Sequence, residues 1–376
     1  MNDELNELRR EIDGVDDELT RLFRRRMDIS AKISDCKRKN GLPTFDPGRE
    51  RALLSRVAEK SGDKFAEYSE SIYRAILAAS RSYQNALSGS ESRIYSQIRS
   101  SLRDTAPMFP QRAIVACVGT DGGTAERISR RLFKLPTVMY FDTPEHALRA
   151  VETGMCRFAL LESDDGTAGT RNKIYGLLCG GFYIVRAVDS EEPLCLAVRY
   201  GLTEPREICA DAASFERCSG QSFRERIYFA DASAAARFAA ETAEKSCAAI
   251  CPRFTAEHYG LKVLRDNIQD TPLAARFLCV SREPEIYPGA DKSSFVFTIS
   301  NEPGSLALLL SKFTALGINV SRVESRVPYG REYERVVYLD IDESVYSPEM
   351  ENLLRDLEAE CVESVYLGSY SEEVCR

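Results

Sequence analysis

Two cationic side chains on one helix are the residues that most directly suggest chemistry. Arg26 and Lys37 are eleven residues apart. At about 100° per residue they project from one helix face, roughly 20° apart and three turns from each other. Arg9, seventeen residues before Arg26, points roughly 100° away. One helix can thus offer Arg26 and Lys37 to one anion pocket and Arg9 to another, which in a symmetric dimer would belong to the partner chain. The alternative is that all three are solvated side chains on long apolar stems.

An apolar seam predicts that Arg26 faces the interior of a helical bundle. Apolar residues recur at alternating gaps of three and four, at Leu5, Leu8, Ile12, Val15, Leu19 and Leu22. This spacing is typical of a helix packed against other helices. The seam next requires position 26, where an arginine stands, and it then continues at Ile29, Ile33 and Cys36.

Further polar side chains fall on faces that a bundle would turn inward. Asp46, Arg49 and Glu50 cluster at the start of a second helix, and Ser80 and Gln84 share one face of a third. Burying such groups without partners is costly. A ligand with two negative charges would offset that cost, so we expect a dianion-binding pocket.

Composition excludes several classes of protein. The chain has 376 residues, 44% hydrophobic and 29% charged, and a net charge of -8 that argues against nucleic acid as the main partner. No apolar run is long enough to span a bilayer, and the charged start "MNDELNELRREID" is unlike a signal peptide. The 12 cysteines are scattered, which favours a reducing cytoplasm, and the two histidines leave little scope for a histidine-centred triad. We expect no cofactor and no metal site.

Three segments organise the chain, which we expect to be multidomain. Residues 1–103 read as helical throughout, with too few helices to bury the long seam alone, so pairing with a second copy is expected. Residues 111–281 alternate strand and helix patterns, which predicts an α/β domain that closes around a small ligand. Residues 292–370 follow the ferredoxin-like order of strand–helix–strand–strand–helix–strand.

The first segment resembles the all-helical chorismate mutases found at the N-terminus of bifunctional chorismate mutase–prephenate dehydratases. The matching stretches are "LRREIDGVDDEL", "RRRMDISAKISDCK", "FDPGRERALL" and "SRSYQ". The resemblance implies an intertwined dimer. It also implies that Arg9, reaching across that dimer, and Arg26 grip the two carboxylates of chorismate, while Lys37 and Gln84 address its ether oxygen. Asp46, Glu50 and Ser80 would bind or position the ring hydroxyl, and Arg49 would support the carboxylate.

The middle segment is similar to prephenate dehydratase domains, which have two lobes like periplasmic binding proteins. "AAICPRFTAEHYGLKVLRDNIQD" and "LCLAVR" carry this resemblance. The family's Thr-Arg-Phe motif, whose threonine is implicated in expelling the ring hydroxyl, corresponds to Ala275-Arg276-Phe277. An alanine can neither donate nor accept a proton, so we expect a weak or inactive dehydratase. The alternative is a working site that uses other groups, namely Glu162, Ser233, Thr271, Arg276 and Phe277.

The third segment resembles the ACT regulatory domains that follow prephenate dehydratases. "SNEPGSLALLLSKF" and "INVSRVESRVPYG" carry this resemblance, which implies that phenylalanine binds between two copies. The implied site residues are Asn301, Gly304, Ser305, Leu306, Glu324, Ser325 and Arg326. The alternative is a ferredoxin-like module that only dimerises.

The sequence therefore predicts a cytoplasmic chorismate mutase of phenylalanine biosynthesis. Its substrate and product would be chorismate and prephenate, its effector L-phenylalanine, and its assembly a homodimer or homotetramer without nucleic acid or membrane partners. A first alternative is a fully bifunctional enzyme that makes phenylpyruvate. A second is a non-catalytic sensor of chorismate or phenylalanine, against which the set Arg9, Arg26, Lys37, Glu50 and Gln84 argues.

Overall fold

The computed structural model describes residues 2–42, 45–88, 91–164, 168–191, 193–221, 225–242, 246–270, 274–328 and 330–375. Thr271, one of the predicted site residues, lies outside these ranges. No helix in the described part of the chain is both long enough and apolar enough to cross a membrane.

The first unit consists of three helices, as the sequence predicts. They are α1 (Asn2–Lys39), α2 (Pro47–Ser61) and α3 (Ala66–Ser88). The α2 helix begins where Asp46 accepts a hydrogen bond from the backbone N–H of Arg49 at 3.0 Å, and it ends at Gly62, whose φ is 66°. These are the expected N-cap and, at the helix end, a positive φ that glycine adopts readily.

The first half of α1 has no partner within the described chain. Its apolar seam is exposed at Leu5, Leu8, Ile12, Val15, Leu19 and Leu22. The second half of α1 packs on α3 and buries its own Ser30 and Ser34 there. The Ser34 hydroxyl donates to the backbone carbonyl of Gln84 on α3 at 3.2 Å. An exposed seam of this length is a surface that calls for a partner.

The middle unit has two lobes, each built on its own sheet. Lobe 1 holds β1 (Arg112–Val118), α5 (Thr124–Leu132), β2 (Leu135–Phe141), α6 (Pro144–Glu152), β3 (Phe158–Asp164), α7 (Ala168–Leu178), β4 (Tyr183–Glu191) and the returning β10 (Ala274–Ser281). Lobe 2 holds β5 (Leu194–Val198), β6 (Glu207–Asp211), α8 (Ala212–Arg217), β7 (Glu225–Phe229), α9 (Ala232–Glu241), β8 (Cys247–Pro252), α10 (Arg253–His258) and β9 (Lys262–Arg265). The chain crosses between the lobes twice, after β4 and before β10, so the predicted two-lobed α/β architecture is present.

The third unit has the predicted ferredoxin-like order. Its elements are β11 (Lys292–Ser300), α11 (Ser305–Ala315), β12 (Asn319–Arg326), β13 (Glu334–Asp342), α12 (Pro348–Glu360) and β14 (Glu363–Cys375). The strand order β12-β13-β11-β14 is antiparallel throughout. A further helix, α4 (Arg93–Asp104), buries Ile94 and Ile98 in the core of this unit, although its residues precede the middle unit in the chain.

One strand joins the sheets of the middle and third units. After pairing with β11, β14 continues as a parallel neighbour of β4, with Ser371 opposite Arg186 and Cys375 opposite Ser190. The result is a nine-stranded sheet, β12-β13-β11-β14-β4-β10-β3-β1-β2. The predicted domain boundaries at residues 103, 281 and 370 stay predictions. In the structure, α4 packs with the third unit rather than with the first, and β14 extends past residue 370 to Cys375.

Gly368 is the point at which β14 approaches β4 most closely. Its φ is 134°, and a Cβ placed there would lie 2.8 Å from the backbone nitrogen and 3.0 Å from the carbonyl carbon of Ile184, and closer still to the carbonyl oxygen. Backbone atoms of a central strand cannot move aside, so only glycine fits this position.

We expect Gly368→Ala to lower the stability of the protein by about 3 kcal/mol, because it adds backbone strain and overpacking together. Thermal unfolding measured by calorimetry checks this. Gly154→Ala is the matched control, since Gly154 also has a positive φ, 76°, but no atom lies within 4 Å of its added Cβ. Equal shifts in melting temperature for the two variants would contradict the assigned role of the β14–β4 contact.

Candidate active sites

Arg26 lies between α1 and α3, as the interrupted seam predicts. Its guanidinium donates to the hydroxyl of Ser80 and to the carbonyl of Ile76, the latter at 3.4 Å. Burial lowers the pKa of Arg26, and this is opposed by the nearby side chains of Tyr73 and Glu50. A half-buried cation placed beside α3 is positioned to bind an anion rather than to be solvated.

Ser80 and Gln84 lie one turn apart on α3, and both are buried. The side-chain oxygen Oε1 of Gln84 has no hydrogen-bond partner in the structure. A buried polar atom without a partner is costly and marks a place where a ligand can supply the missing contact. Lys37, half-buried, lies one turn beyond Ser34, whose hydroxyl contacts the carbonyl of Gln84 at 3.2 Å.

Glu50 is held by Arg81, a residue that the sequence analysis missed. The Nη1 atom of Arg81 lies 2.6 Å from both carboxylate oxygens of Glu50. Burial alone would lower the pKa of Arg81, but hydrogen bonds and charge from Glu50 and Glu360 outweigh it and raise the pKa. Arg81 follows Ser80 directly in the chain, so the spacing of α3 indicated its position but not its partners.

The remaining residues of the predicted pocket lie further out. Asp46 is exposed, and its carboxylate caps α2; Arg49 is exposed on the first turn of the same helix. Arg9 is exposed with Asn6 Oδ1 at 3.5 Å, and it lies about 25 Å along α1 from Arg26. The structure thus brings Arg26, Glu50, Ser80 and Gln84 together, whereas Arg9 is too far away to share their pocket within one chain.

The second candidate site is a cleft of about 420 Å³ between the two lobes of the middle unit. Three of the predicted dehydratase-like residues, Glu162, Ser233 and Phe277, line it, together with Thr120 and Thr255. A cleft of this size can hold a small ligand.

The lobes touch each other beside this cleft. The hydroxyl of Thr255 donates to the carbonyl of Gly122 at 2.8 Å, and the hydroxyl of Tyr259 donates to the carbonyl of Asp121 at 2.7 Å. His258 Nε2 lies 3.0 Å from a carboxylate oxygen of Asp121. Burial alone would raise the pKa of Asp121, but its hydrogen bonds with His258 and Tyr140 outweigh this effect and lower the pKa. The carboxylate is therefore charged at neutral pH and supports the contact between the lobes.

Asp121, Glu126 and His258 are also close enough to one another to hold a metal ion. The Glu126 carboxylate, however, already accepts hydrogen bonds from the Gly122 backbone N–H at 2.7 Å, from the Tyr140 hydroxyl at 2.8 Å and from Arg130 Nε at 2.8 Å. Since these partners already use the carboxylate oxygens, we assign the cluster to the lobe contact.

Arg276 requires a correction, because the structure places it away from the cleft. Side chains alternate along β10, so Ala275 and Phe277 share the face that carries the cleft and Arg276 points to the other face. Its Nη1 lies 2.6 Å from Asp340 of β13, and its Nη2 lies 2.8 Å from Glu372 of β14. Arg276 thus ties the middle unit to the third unit.

A third cavity, of about 690 Å³, lies at the start of α11. Four of the predicted effector residues line it, namely Asn301, Gly304, Ser305 and Leu306. Gly304, at φ 88°, forms the expected glycine turn before the helix. Arg335, also missed by the sequence analysis, lines the cavity and donates to Asn301 Oδ1 and to Ser325 Oγ, both at 3.1 Å.

The other three predicted effector residues lie outside the lining of that cavity. Arg326 stacks over the ring of Tyr338 at 5.6 Å, and Glu324 is half-buried two residues earlier on β12. Of this stretch, only Ser325 therefore reaches the cavity, through its hydrogen bond from Arg335.

Comparison with known proteins matches two parts of the chain to known families. The family described as chorismate mutase type II matches residues 8–85, and that described as prephenate dehydratase matches residues 115–285. A bifunctional chorismate mutase/prephenate dehydratase from Aquifex aeolicus is 24% identical, and the alignment covers 98% of each chain.

Two solved structures share the fold of about two thirds of this chain. One is GqqA, described as a novel type of quorum quenching acylase, with a TM-score of 0.62 and 24% identity over 69% of this chain and 98% of its own. The other is a prephenate dehydratase from Arthrobacter aurescens in complex with L-Phe, with a TM-score of 0.61 and 23% identity over 69% of this chain and 89% of its own. At these identities the likeness is one of fold alone.

The two family matches together span most of the sequence, and the chain belongs to the bifunctional chorismate mutase/prephenate dehydratase family, with the mutase domain first and the dehydratase domain second.

Proposed function

We propose that the first domain converts chorismate to prephenate, and that the position of Arg26 carries this proposal. A half-buried guanidinium next to Ser80 suits the carboxylate of a compact anion, and Glu50 nearby can accept a hydrogen bond from a hydroxyl of the same ligand. The reaction is a rearrangement within one molecule, so it requires no nucleophile or metal.

The pocket would act by holding a reactive conformer and by stabilising charge. Arg26 would bind one carboxylate in the paired geometry that guanidinium offers, with Arg49 in support. Fixing the substrate in its folded shape removes much of the entropic barrier. Lys37 and Gln84 would donate to the ether oxygen, on which negative charge develops. Glu50, Ser80 and Asp46 would position the ring hydroxyl.

Arg9 enters this scheme only through a second copy of the chain. Its guanidinium lies about 25 Å from Arg26 on the same helix, on the half of α1 whose seam is exposed. We propose that two chains pair along this seam in an intertwined dimer, or a tetramer built from it, in which Arg9 binds the second carboxylate at the partner's site.

We expect Lys37→Ala to lower kcat/KM for chorismate by more than about 100-fold, because it removes a donor to the oxygen that gains charge. Loss of chorismate absorbance measures the rate. Lys32→Ala is the matched control, since Lys32 is an exposed lysine on the same helix, and it should retain activity. Both variants should keep the helical circular dichroism of the parent. Parental activity in Lys37→Ala would exclude the assigned role.

For the middle domain we propose that dehydratase chemistry is weak or lost. Ala275 stands where the family's threonine would serve, on the strand face shared with Phe277, and a methyl group cannot transfer a proton to the departing hydroxyl. One observation favours the alternative of a bifunctional enzyme. The cleft is kept, and Glu162 and Ser233 offer polar groups to it.

Product analysis separates these two possibilities. Starting from chorismate, we expect the protein to accumulate prephenate, with phenylpyruvate no higher than the acid-catalysed background. Ala275→Thr tests the reason given, because it returns a hydroxyl to the cleft face of β10; any gain in phenylpyruvate would locate the defect there. Rapid formation of phenylpyruvate by the unmodified chain would establish the bifunctional alternative.

For the third unit we propose an ACT domain that binds L-phenylalanine. The N-terminus of α11 offers backbone N–H groups and a favourable dipole to a carboxylate, and the apolar side of the cavity includes Leu306 and Leu310. Arg335 holds Asn301 and Ser325 on two sides of the same cavity. Together these domains would form a cytoplasmic enzyme of phenylalanine biosynthesis.

We expect Arg335→Gln to weaken L-phenylalanine binding at least about tenfold in titration calorimetry, because Asn301 and Ser325 lose a shared charged donor. Arg331→Gln is the control, as Arg331 is an exposed neighbour paired with Glu334 at 3.3 Å. If the unmodified protein takes up no L-phenylalanine, the third domain is the dimerising module of the alternative.

A further inference from the structure

Arg81 contacts two acidic residues that belong to different domains. On one side its Nη1 lies 2.6 Å from both oxygens of Glu50, the predicted ligand of the substrate hydroxyl. On the other side its Nε lies 3.3 Å from Glu360 Oε1, in the last turn of α12. The mutase site is thus connected to the third domain by a single guanidinium.

Burial gives these contacts weight. The side chain of Arg81 is 13% exposed, and those of Glu50 and Glu360 are each 21% exposed. Charge pairs that are this shielded from water differ from surface pairs, because removing one partner leaves a desolvated charge behind. Guanidinium also has a rigid fork that fixes the orientation of a bound carboxylate. The carboxylate of Glu50 therefore has a defined direction only while Arg81 is held.

Glu360 in turn is held from within the third domain. Lys312 of α11 lies 3.1 Å from the same oxygen, Oε1, that accepts from Arg81. A second polar contact between the domains lies one turn earlier on α12, where the hydroxyl of Ser82 donates to the carboxylate of Asp356. The α3 helix of the mutase domain thus meets α12 through polar side chains, with a cavity of about 550 Å³ beside them that small residues such as Ala79 and Ala315 line.

We propose that Arg81 is a positioning residue of the mutase site and that Glu360 of the third domain holds it in place. This inference depends on the proposed mutase function of the first domain. Glu50 must be correctly oriented to accept a hydrogen bond from the substrate, and Arg81 fixes that orientation through its contacts with both carboxylate oxygens. Because Glu360 shares that guanidinium, the third domain forms part of the support of a site to which it contributes no substrate contact.

Substitution of Glu360 in the full chain tests the connection. Glu360→Gln keeps the size of the side chain but removes its charge, and we expect kcat/KM for chorismate to fall roughly threefold to tenfold, as for couplings carried by side-chain networks. Glu358→Gln is the matched control. It makes the same change two residues away on α12, at a side chain 17% exposed that pairs with Arg93 instead, and its kcat/KM should stay within about twofold of the parent.

A double-mutant cycle distinguishes positioning from general destabilisation. Arg81→Met should lower kcat/KM by about tenfold to 100-fold, the range expected for a lost charged hydrogen bond. Arg81→Lys should recover part of that loss, since it restores charge without the fork. In the Arg81→Met background, Glu360→Gln should have no further effect on kcat/KM, although each variant lowers the melting temperature.

Three results would overturn the proposal. They are a parental kcat/KM in Glu360→Gln, an equal loss in Glu358→Gln, and a loss from Glu360→Gln that persists undiminished without Arg81. Circular dichroism at the assay temperature confirms that each variant is folded. An unmodified chain that fails to convert chorismate would instead refute the mutase function itself, and the parental assay reveals this before any variant is made.

Discussion

The buried charge of Arg276 is the interaction on which the arrangement of the second and third domains depends. Its side chain is 4% exposed and contacts Asp340 at 2.6 Å and Glu372 at 2.8 Å. The hydroxyls of Tyr175 and Tyr370 lie at 3.3 and 3.1 Å. Burial alone would lower the pKa of Arg276, but these surroundings raise it. Removing Asp340 or Glu372 would leave this buried guanidinium short of counter-charge, so the charge pairs hold β10 against β13 and β14.

The shared strand β14 adds backbone hydrogen bonds to that charge pair. Its pairing with β11 belongs to the third domain and its pairing with β4 to the second, so neither sheet ends at the boundary. A continuous sheet resists hinge motion at the junction, since bending there would break several ladder hydrogen bonds together. The contact between α3 and α12 is different, because side chains alone connect it and a cavity adjoins it. The mutase domain is thus attached more loosely than the other two are to each other.

Local patterns predicted much of this molecule. The interrupted seam placed Arg26 toward α3, Asp46 marked the start of α2, and the order of strands and helices in the third unit was read directly. Such features follow from periods of 3.6 and 2 and from capping chemistry, which act within a few residues. The contact between Arg81 and Glu360 joins positions 279 residues apart. The local periodicity of the sequence cannot predict such a contact. The same holds for α4, whose amphipathic face does not indicate which domain will cover it.

The Thr-Arg-Phe motif shows why a resemblance misassigned one residue. Alternation along a strand predicts that Ala275 and Phe277 share a face and that Arg276 takes the other, but it cannot say which face meets the cleft. In the structure Arg276 and Phe277 hold the fold together, one in the buried charge network and the other in the apolar core. Position 275 lies on the cleft face, and an alanine fits there as a buried residue. A substitution at this position can therefore remove a hydroxyl at little cost to the scaffold, whereas loss of Arg276 would remove the buried charge pairs between the domains. This difference explains how a chain can depart from the family's motif at position 275 and still keep the dehydratase fold as the link between the first and third domains.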